Sequence, residues 1–287
     1  MQTVTTIVEV RQIVSTWKKA GKTIGLVPTM GALHEGHQSL ITTARQQCDK
    51  VVLSIFVNPL QFSPEEDLAC YPRDLPTDQI KAAAAGCDLI FCPSEVEMYP
   101  AGFNSYVECF GVTQMLEGHS RPTHFKGVTT VVAKLFGIVT PDIAFFGQKD
   151  TQQVAVIEQM VRDLNLPVTI YSCPIIREAS GLAKSSRNQY LSVQEKKEAL
   201  VLSQSLKLAE RMINTRQPVA KIHQAMTAKI EESPLAVIDY LKIVNPQTLQ
   251  EIKEIEKECL ILLAVYIGQT RLIDNARFTI TNKGEKK

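Results

Sequence analysis

Residues 23–57 read TIGLVPTMGALHEGHQSLITTARQQCDKVVLSIFV, and the pattern of this stretch sets the fold. Thr23 to Val27 is a short apolar run of strand length, broken by Pro28-Thr29-Met30-Gly31. A helical stretch follows from about His37 to Cys48, and Val51 to Val57 is a second apolar run that Asn58-Pro59 stops. Strands that are apolar throughout belong in a sheet covered on both faces, and strand–helix–strand order makes that sheet parallel.

The same alternation extends in both directions. Residues 7 to 20 place Ile7, Val10, Ile13, Val14 and Trp17 on one helical face. Downstream come a helix over 74–86 ended by Gly86, a strand from Asp88 to Cys92 and a helix from Val128 to Val139. A strand from Ile143 to Phe146, a helix from Thr151 to Leu164 and a strand from Val168 to Ser172 complete the series. The core stripe of that last helix is Val154, Ile157, Val161 and Leu164. The expected architecture is α/β, a Rossmann-like parallel sheet with helices on both faces. Ligands in such sheets bind beyond the carboxyl ends of the strands, which singles out PTMGALHEGH, NPLQF and GQKD.

Near residue 193 the chain becomes helical in pattern and rich in Lys, Glu and Gln, then returns to strand-like runs at Val237–Val244 and Leu260–Ile267. Two domains are expected: a ligand-binding α/β domain over 1–176 and a smaller α+β domain over 177–287. The terminal NKGEKK is expected to fray.

Composition narrows the class of function. The chain has 287 residues, 45% hydrophobic and 21% charged, with a formal net charge of +1. That balance offers neither nucleic acid nor an anionic membrane a broad field of attraction. Its longest apolar run, Cys259 to Ile267, is far short of the ~20 residues a membrane helix needs. Seven scattered cysteines, without a C-x-x-C pair or zinc-like spacing, read as reduced core residues of a cytoplasmic protein.

Four segments carry possible chemistry. In Met30-Gly31-Ala32-Leu33-His34-Glu35-Gly36-His37 a strand leads through a glycine turn to a helix start, where backbone N–H groups and the helix dipole favour an anion. His34 and His37 fall on one side of that first turn and can donate to phosphate oxygens, with Gly36 keeping the backbone clear. Two solvated histidines, or a metal pair, fit the same stretch. In Gly147-Gln148-Lys149-Asp150, followed by Gln153, a helix starting near Asp150 puts Lys149, Asp150 and Gln153 on one face. Lys149 then reaches a phosphate, Asp150 a ribose hydroxyl and Gln153 a hydroxylated substrate; an N-capping Asp150 beside a solvated lysine is the plainer alternative. Lys184-Ser185-Ser186-Arg187, within SGLAKSSRN, suits a mobile loop closing on a triphosphate, or an ordinary polar linker. Gln61, in Asn58-Pro59-Leu60-Gln61-Phe62, can project over a strand end or simply satisfy local backbone groups.

Taken together and in order, PTMGALHEGH, VVLSIFVNPLQF, YPRD, HSRPTHFKGVTTVVAKLF, FGQKDTQQ, GLAKSSRNQYL and TRLIDNARF resemble the pantothenate synthetase (pantoate–β-alanine ligase) family of the nucleotidylyltransferase superfamily, from about residue 24 to 278. The resemblance implies a ligase that condenses (R)-pantoate with β-alanine through a pantoyl-adenylate, consuming ATP and releasing AMP and pyrophosphate. It implies an ATP site built from Met30, Gly31, Ala32, Leu33, His34, Glu35, Gly36, His37, Gly147, Gln148, Lys149, Asp150, Ile176, Lys184, Ser185, Ser186 and Arg187. His37, His34 and Lys149 would be catalytic, with His37 as general acid. Gln61 and Gln153 would hold pantoate, with Gln61 also at the β-alanine position. Mg²⁺ would arrive on the ATP phosphates, with no protein metal site, and the enzyme would be a cytoplasmic homodimer. Asn58, Tyr71 and Arg121 match motif positions without an assigned role. The sequence departs from the family pattern at Lys184, where an apolar residue is common.

Overall fold

The computed structural model describes residues 1–63, 68–69 and 71–280; Cys70 and the NKGEKK tail lie outside them. It divides into two compact units, Met1–Ile176 and Arg177–Lys287. The first unit runs β1 (Gln2–Val4), α1 (Ile7–Lys19), β2 (Ile24–Thr29), α2 (Glu35–Gln47), β3 (Lys50–Ile55) and a 3-10 turn over Pro59–Gln61. It continues through α3 (Leu75–Ala85), β4 (Leu89–Phe91), the one-turn helices α4 (Glu95–Met98) and α5 (Glu117–Ser120), and α6 (His124–Val139). β5 (Ile143–Gly147), a 3-10 turn over Gln148–Asp150, α7 (Thr151–Asp163) and β6 (Thr169–Cys173) finish it.

These strands form a parallel sheet in the order β1-β4-β3-β2-β5-β6. The sequence dictates its two-sided burial. Successive strand residues point to opposite faces, so Leu26, Val52, Leu89, Phe91, Ala144 and Phe146 pack with α1, α6 and α7. Their neighbours Val27, Val51, Leu53, Ile90 and Phe145 pack with α2 and α3 on the other face. From β2 the chain proceeds to β3 and β4 on one side and later to β5 and β6 on the other. That reversal places a topological switch point at the carboxyl ends of β2 and β5, the location at which open α/β sheets bind ligands.

The ends of several helices follow from capping chemistry. Thr6 and Glu9 form a reciprocal capping box on α1. Asp74 caps α3 at its start, and Gly86, left-handed at φ 96°, ends it. Three differences from the sequence reading have local causes. α6 begins at His124 rather than Val128, its first turn being polar in sequence but buried at His124, Phe125 and Gly127. In α7 the buried stripe is Val154, Val156, Ile157 and Met160; Leu164 lies past the last helical residue and is exposed. The short edge strand β1 carries too few residues to show a period.

The second unit, taken by itself, contains α8 (Val193–Glu198), α9 (Leu200–Asn214) and α10 (Val219–Glu231), then β7 (Ala236–Val244), β8 (Glu258–Ile267) and β9 (Thr270–Thr279). The strands form an antiparallel sheet in that order. Its core joins Leu202, Leu206, Ile222 and Met226 to Ile261, Leu263 and Val265. β9 escapes a periodicity reading because Asp274 and Asn275 are buried in succession. Asp274 is compensated by Arg177, which donates to its two carboxylate oxygens at 2.7 and 2.8 Å.

Candidate active site

The turn after β2 is built by backbone strain and a buried carboxylate. Gly31 and Ala32 both adopt positive φ, 90° and 49°. For Ala32 this is an uncommon conformation that its surroundings must hold. Asp78 of α3 does so: its carboxylate accepts the Leu33 N–H at 2.7 Å, and the Lys81 ammonium donates to the Leu33 carbonyl at 2.6 Å. Burial raises the Asp78 pKa, opposed by the N–H groups of Leu33 and Ala32. A carboxylate thus occupies the inner side of the turn and fixes the direction in which the chain enters α2.

The helix itself starts at Glu35, with His34 at the N-cap. His34 Nδ1 accepts the Gly36 N–H at 3.1 Å, and His37 Nδ1 accepts the His34 N–H at 3.3 Å. The two rings stack with centroids 4.0 Å apart. The room left by Gly36 is filled by the His34 ring, since a Cβ there would lie 2.7 Å from His34 Cε1. The imidazoles therefore form a reciprocal cap, and accepting through Nδ1 assigns the proton of each neutral ring to Nε2. The His37 pKa falls to about 3, first because the ring is buried, then because His34, Lys149 and Lys81 disfavour added positive charge. His37 is therefore a neutral donor at neutral pH in the ligand-free chain.

The turn after β3 is held mainly by amide, hydroxyl and backbone groups, with one cation, Arg121, at its Gln61 carbonyl. Asn58 and Gln61 are both buried, and Asn58 Nδ2 donates to Gln61 Oε1 at 3.1 Å and to the Gly127 carbonyl at 3.0 Å. Asn58 Oδ1 accepts from the Leu60 N–H at 3.3 Å and from the Tyr99 hydroxyl at 2.7 Å. The Gln61 carbonyl meets the His124 ring at 3.0 Å and accepts from Arg121 at 3.3 Å. Gln61 Nε2 reaches back across the strand ends to Met30 Sδ at 3.1 Å, so the turns after β2 and β3 are in contact.

At the end of β5, Lys149 and Asp150 lie in the 3-10 turn, with their charged atoms 3.8 Å apart. Asp150 stands at the N-cap position of α7 without a side-chain capping bond. Gln153 is half-buried in the first turn of α7. Its neighbour Gln152, which sequence reasoning passed over, is buried and holds the approach to α5. It accepts the Glu117 N–H at 3.0 Å and donates to the carbonyls of Val112 and Met115 at 2.8 and 2.7 Å.

Ile176 is the last residue of the first unit, and Lys184–Arg187 belong to the second. There Arg177 bridges Ala183 in antiparallel fashion. Asn188 Nδ2 donates to the Ala183 carbonyl at 3.0 Å and to Glu178 at 3.1 Å. Residues 184–187 thus form an arc with a hydrogen-bonded base. Lys184, Ser185 and Ser186 are half-buried and Arg187 is exposed.

Of the expected site residues, the first unit brings together Met30 with Gln61, His34 with His37, and Lys149 with His37 through its charge. Asp78, Lys81, Tyr99, His124 and Gln152 were not singled out from the sequence. None of them lies in a recognisable spacing with the groups it supports.

A doubly wound sheet with an imidazole-capped helix at its switch point, and a lysine at the end of β5 whose charge reaches that cap, defines a nucleotide-binding α/β enzyme. The chain matches the Pantoate-beta-alanine ligase family model over residues 2–277. It is 54% identical to pantothenate synthetase of Acetivibrio thermocellus, over 96% of this chain and 98% of that protein. It is 56% identical to the Heliobacterium modesticaldum pantothenate synthetase, over 90% and 92%. Its fold is similar to the crystal structure of pantothenate synthetase from Thermus thermophilus (TM-score 0.92, 43% identity, covering 96% of this chain and 99% of that one). It is also similar to the pantoate-beta-alanine ligase of Francisella tularensis, solved in complex with beta-gamma ATP and beta-alanine (TM-score 0.79, 36% identity, covering 96% and 97%). The chain belongs to the pantoate-beta-alanine ligase family. It is an ATP-binding ligase of pantothenate biosynthesis that joins pantoate to β-alanine.

Proposed function

We propose that the ligation proceeds through a pantoyl-adenylate, with the strand-end turns of the first unit dividing the chemistry. A carboxylate resists an amine because oxide is a very poor leaving group. A pantoate carboxylate oxygen therefore attacks the α-phosphorus of ATP, and pyrophosphate leaves. The β-alanine amine then attacks the activated carbonyl, loses a proton and expels AMP. Positioning and charge stabilisation account for such a reaction without a protein nucleophile.

The stacked His34–His37 pair capping α2, with Lys149 close enough to shift His37, carries this reading. Met30–His37 and Gly147–Asp150 hold the nucleotide, joined by the backbone of Ile176. His34, His37 and Lys149 meet the phosphates. Triphosphate charge raises the His37 pKa, so a ring that is neutral at rest becomes able to serve as the general acid. Gln61 and Gln153 hold pantoate, and Gln61 also faces β-alanine. Among the described residues no three His, Cys, Asp or Glu side chains gather into a metal cluster. Mg²⁺ enters as MgATP, held mainly by phosphate oxygens. The Francisella tularensis complex supports ATP and β-alanine as ligands here too.

The working protein is a cytoplasmic homodimer with no nucleic-acid or membrane partner. The free cysteines at 48, 87, 92, 109, 173 and 259 support the compartment. No helix among the described residues is long and apolar enough to cross a membrane.

The test is pyrophosphate release from ATP with pantoate alone, followed by AMP release on adding β-alanine. Pyrophosphate that appears only when β-alanine is present would overturn the stepwise reading.

A further inference from the structure

The turn after β3 contains an amide whose hydrogen-bonding capacity is full. Asn58 spends its two N–H groups on Gln61 Oε1 and the Gly127 carbonyl, and its oxygen accepts from the Leu60 N–H and the Tyr99 hydroxyl. The Leu60 N–H can only donate and the Gly127 carbonyl can only accept, so the amide cannot be reversed without two like-facing contacts. Gln61 Oε1 is thereby committed to Asn58, and the Gln61 amide nitrogen faces away from it. In the free chain that nitrogen meets a weak acceptor, the Met30 sulfur at 3.1 Å. A carboxylate or hydroxyl oxygen is a better partner for the same N–H groups.

We propose that Tyr99 is a positioning residue for the acid substrate, acting through Asn58 to hold and polarise the Gln61 amide with its N–H groups toward the acid. The proposal rests on the reading of Gln61 as an acid contact.

Three observations support it. The Tyr99–Asn58 hydrogen bond, 2.7 Å, is shorter than the other three made by the Asn58 side chain. The Tyr99 ring is fixed by its neighbours: Phe103 at 5.0 Å, Phe56 at 5.9 Å and the Lys134 ammonium 5.8 Å from the ring centroid. Its hydroxyl stays protonated across the working pH range, because burial raises its pKa, as do the nearby Glu95 and Tyr106. Hydrogen bonds in series polarise one another. Tyr99 donating to Asn58 makes the Asn58 N–H groups stronger donors to Gln61 Oε1. That bond in turn makes the Gln61 N–H groups stronger donors to the substrate.

Tyr99→Phe keeps the ring and deletes the hydroxyl. Its expected effect is a rise of about fivefold in the KM for pantoate, with the KM for ATP and the melting profile little changed. Gln61→Ala is measured beside it, and the two are combined. If Tyr99 acts through Gln61, Tyr99→Phe has no further effect on pantoate in the Gln61→Ala background. An unchanged pantoate KM in Gln61→Ala alone overturns the reading of Gln61 as an acid contact. A normal pantoate KM in Tyr99→Phe, while Gln61→Ala is impaired, overturns the positioning role. So does a Tyr99→Phe loss that adds in full to that of Gln61→Ala.

Discussion

The turns after β2 and β3 lie side by side, joined by Gln61 and Met30, yet are held in different ways. The first is an electrostatic device: a buried carboxylate fixes a strained backbone, and two imidazoles cap the helix it leads into. The second is chiefly a lattice of amide, hydroxyl and backbone groups packed against α6, with Arg121 and His124 meeting only the Gln61 carbonyl. A triphosphate brings several negative charges, and a site that uses ionisable groups can answer them by moving protons. A small hydroxy acid needs orientation more than charge, and fixed dipoles supply it without dependence on pH. The contrast predicts that the two turns fail differently when damaged.

Charge deletions in the first region should have the largest effect. His37→Ala and Lys149→Ala should each slow pyrophosphate release by about 100-fold or more, the usual consequence of removing a group that stabilises transition-state charge. Their melting temperatures should stay near the parent's, His37 being only a cap and Lys149 half-buried. Pantoate-dependent pyrophosphate release within a few-fold of the parent in both variants would remove the chemistry from this turn.

Damage to the second region should first be felt as packing. A Cβ on Gly127 would lie 2.4 Å from the Leu60 carbonyl carbon and oxygen, and 2.5 Å from the Gln61 nitrogen. These are backbone atoms, so α6 must move away from the turn. Gly127→Ala should cost about 3 kcal/mol in denaturant unfolding and raise the KM for pantoate more than that for ATP. The matching cut in the first region is Asp78→Asn, which replaces a charged acceptor of the Leu33 N–H by a neutral one. It should cost about 2 kcal/mol and act the opposite way, weakening ATP more than pantoate. Equal effects on both substrates in the two variants would mean that the turns do not divide their ligands.

The alternation of strand and helix was legible from β2 to β6, because the central strands β2 to β5 bury both faces and each long helix keeps an apolar stripe, whereas the three-residue edge strand β1 was not. The residues proposed to touch ligand were legible as motifs at strand ends. The supports were not. Asp78 lies 45 residues from the Leu33 N–H it holds, Tyr99 is 41 residues from Asn58, and Gly127 is 69. Contacts of that separation leave no local period, and a buried Asp in a helix reads like any solvated one. Gln152 shows the same limit more sharply. Sequence reasoning favoured its neighbour Gln153, yet it is Gln152 whose amide is spent on three backbone groups. β9 was missed for a related reason: its buried Asp274 is tolerable only because Arg177, 97 residues away, pairs with it.

The pH dependence of stability is the effect that isolates the ionisable turn from the other one. His37 has an ordinary pKa of 6.5 and falls to about 3 in the folded chain. Between those values the unfolded chain binds a proton at this site and the native chain does not, so the stability this site confers falls as pH drops from 6.5 toward 3. The slope attributable to His37 approaches about 1.4 kcal/mol per pH unit in the middle of that window. His37→Gln removes the titrating group, so its stability relative to the parent should improve steadily as the medium is acidified. Tyr99→Phe, in the other turn, should keep a constant offset from the parent over the same range. ATP should bind with net proton uptake near neutral pH, seen as a buffer-dependent heat of binding in the parent and reduced in His37→Gln. A constant difference between His37→Gln and the parent from about pH 7 to about pH 4 would mean that the His37 pKa is not lowered in the native chain, and the proposed proton response of the first turn would fall with it.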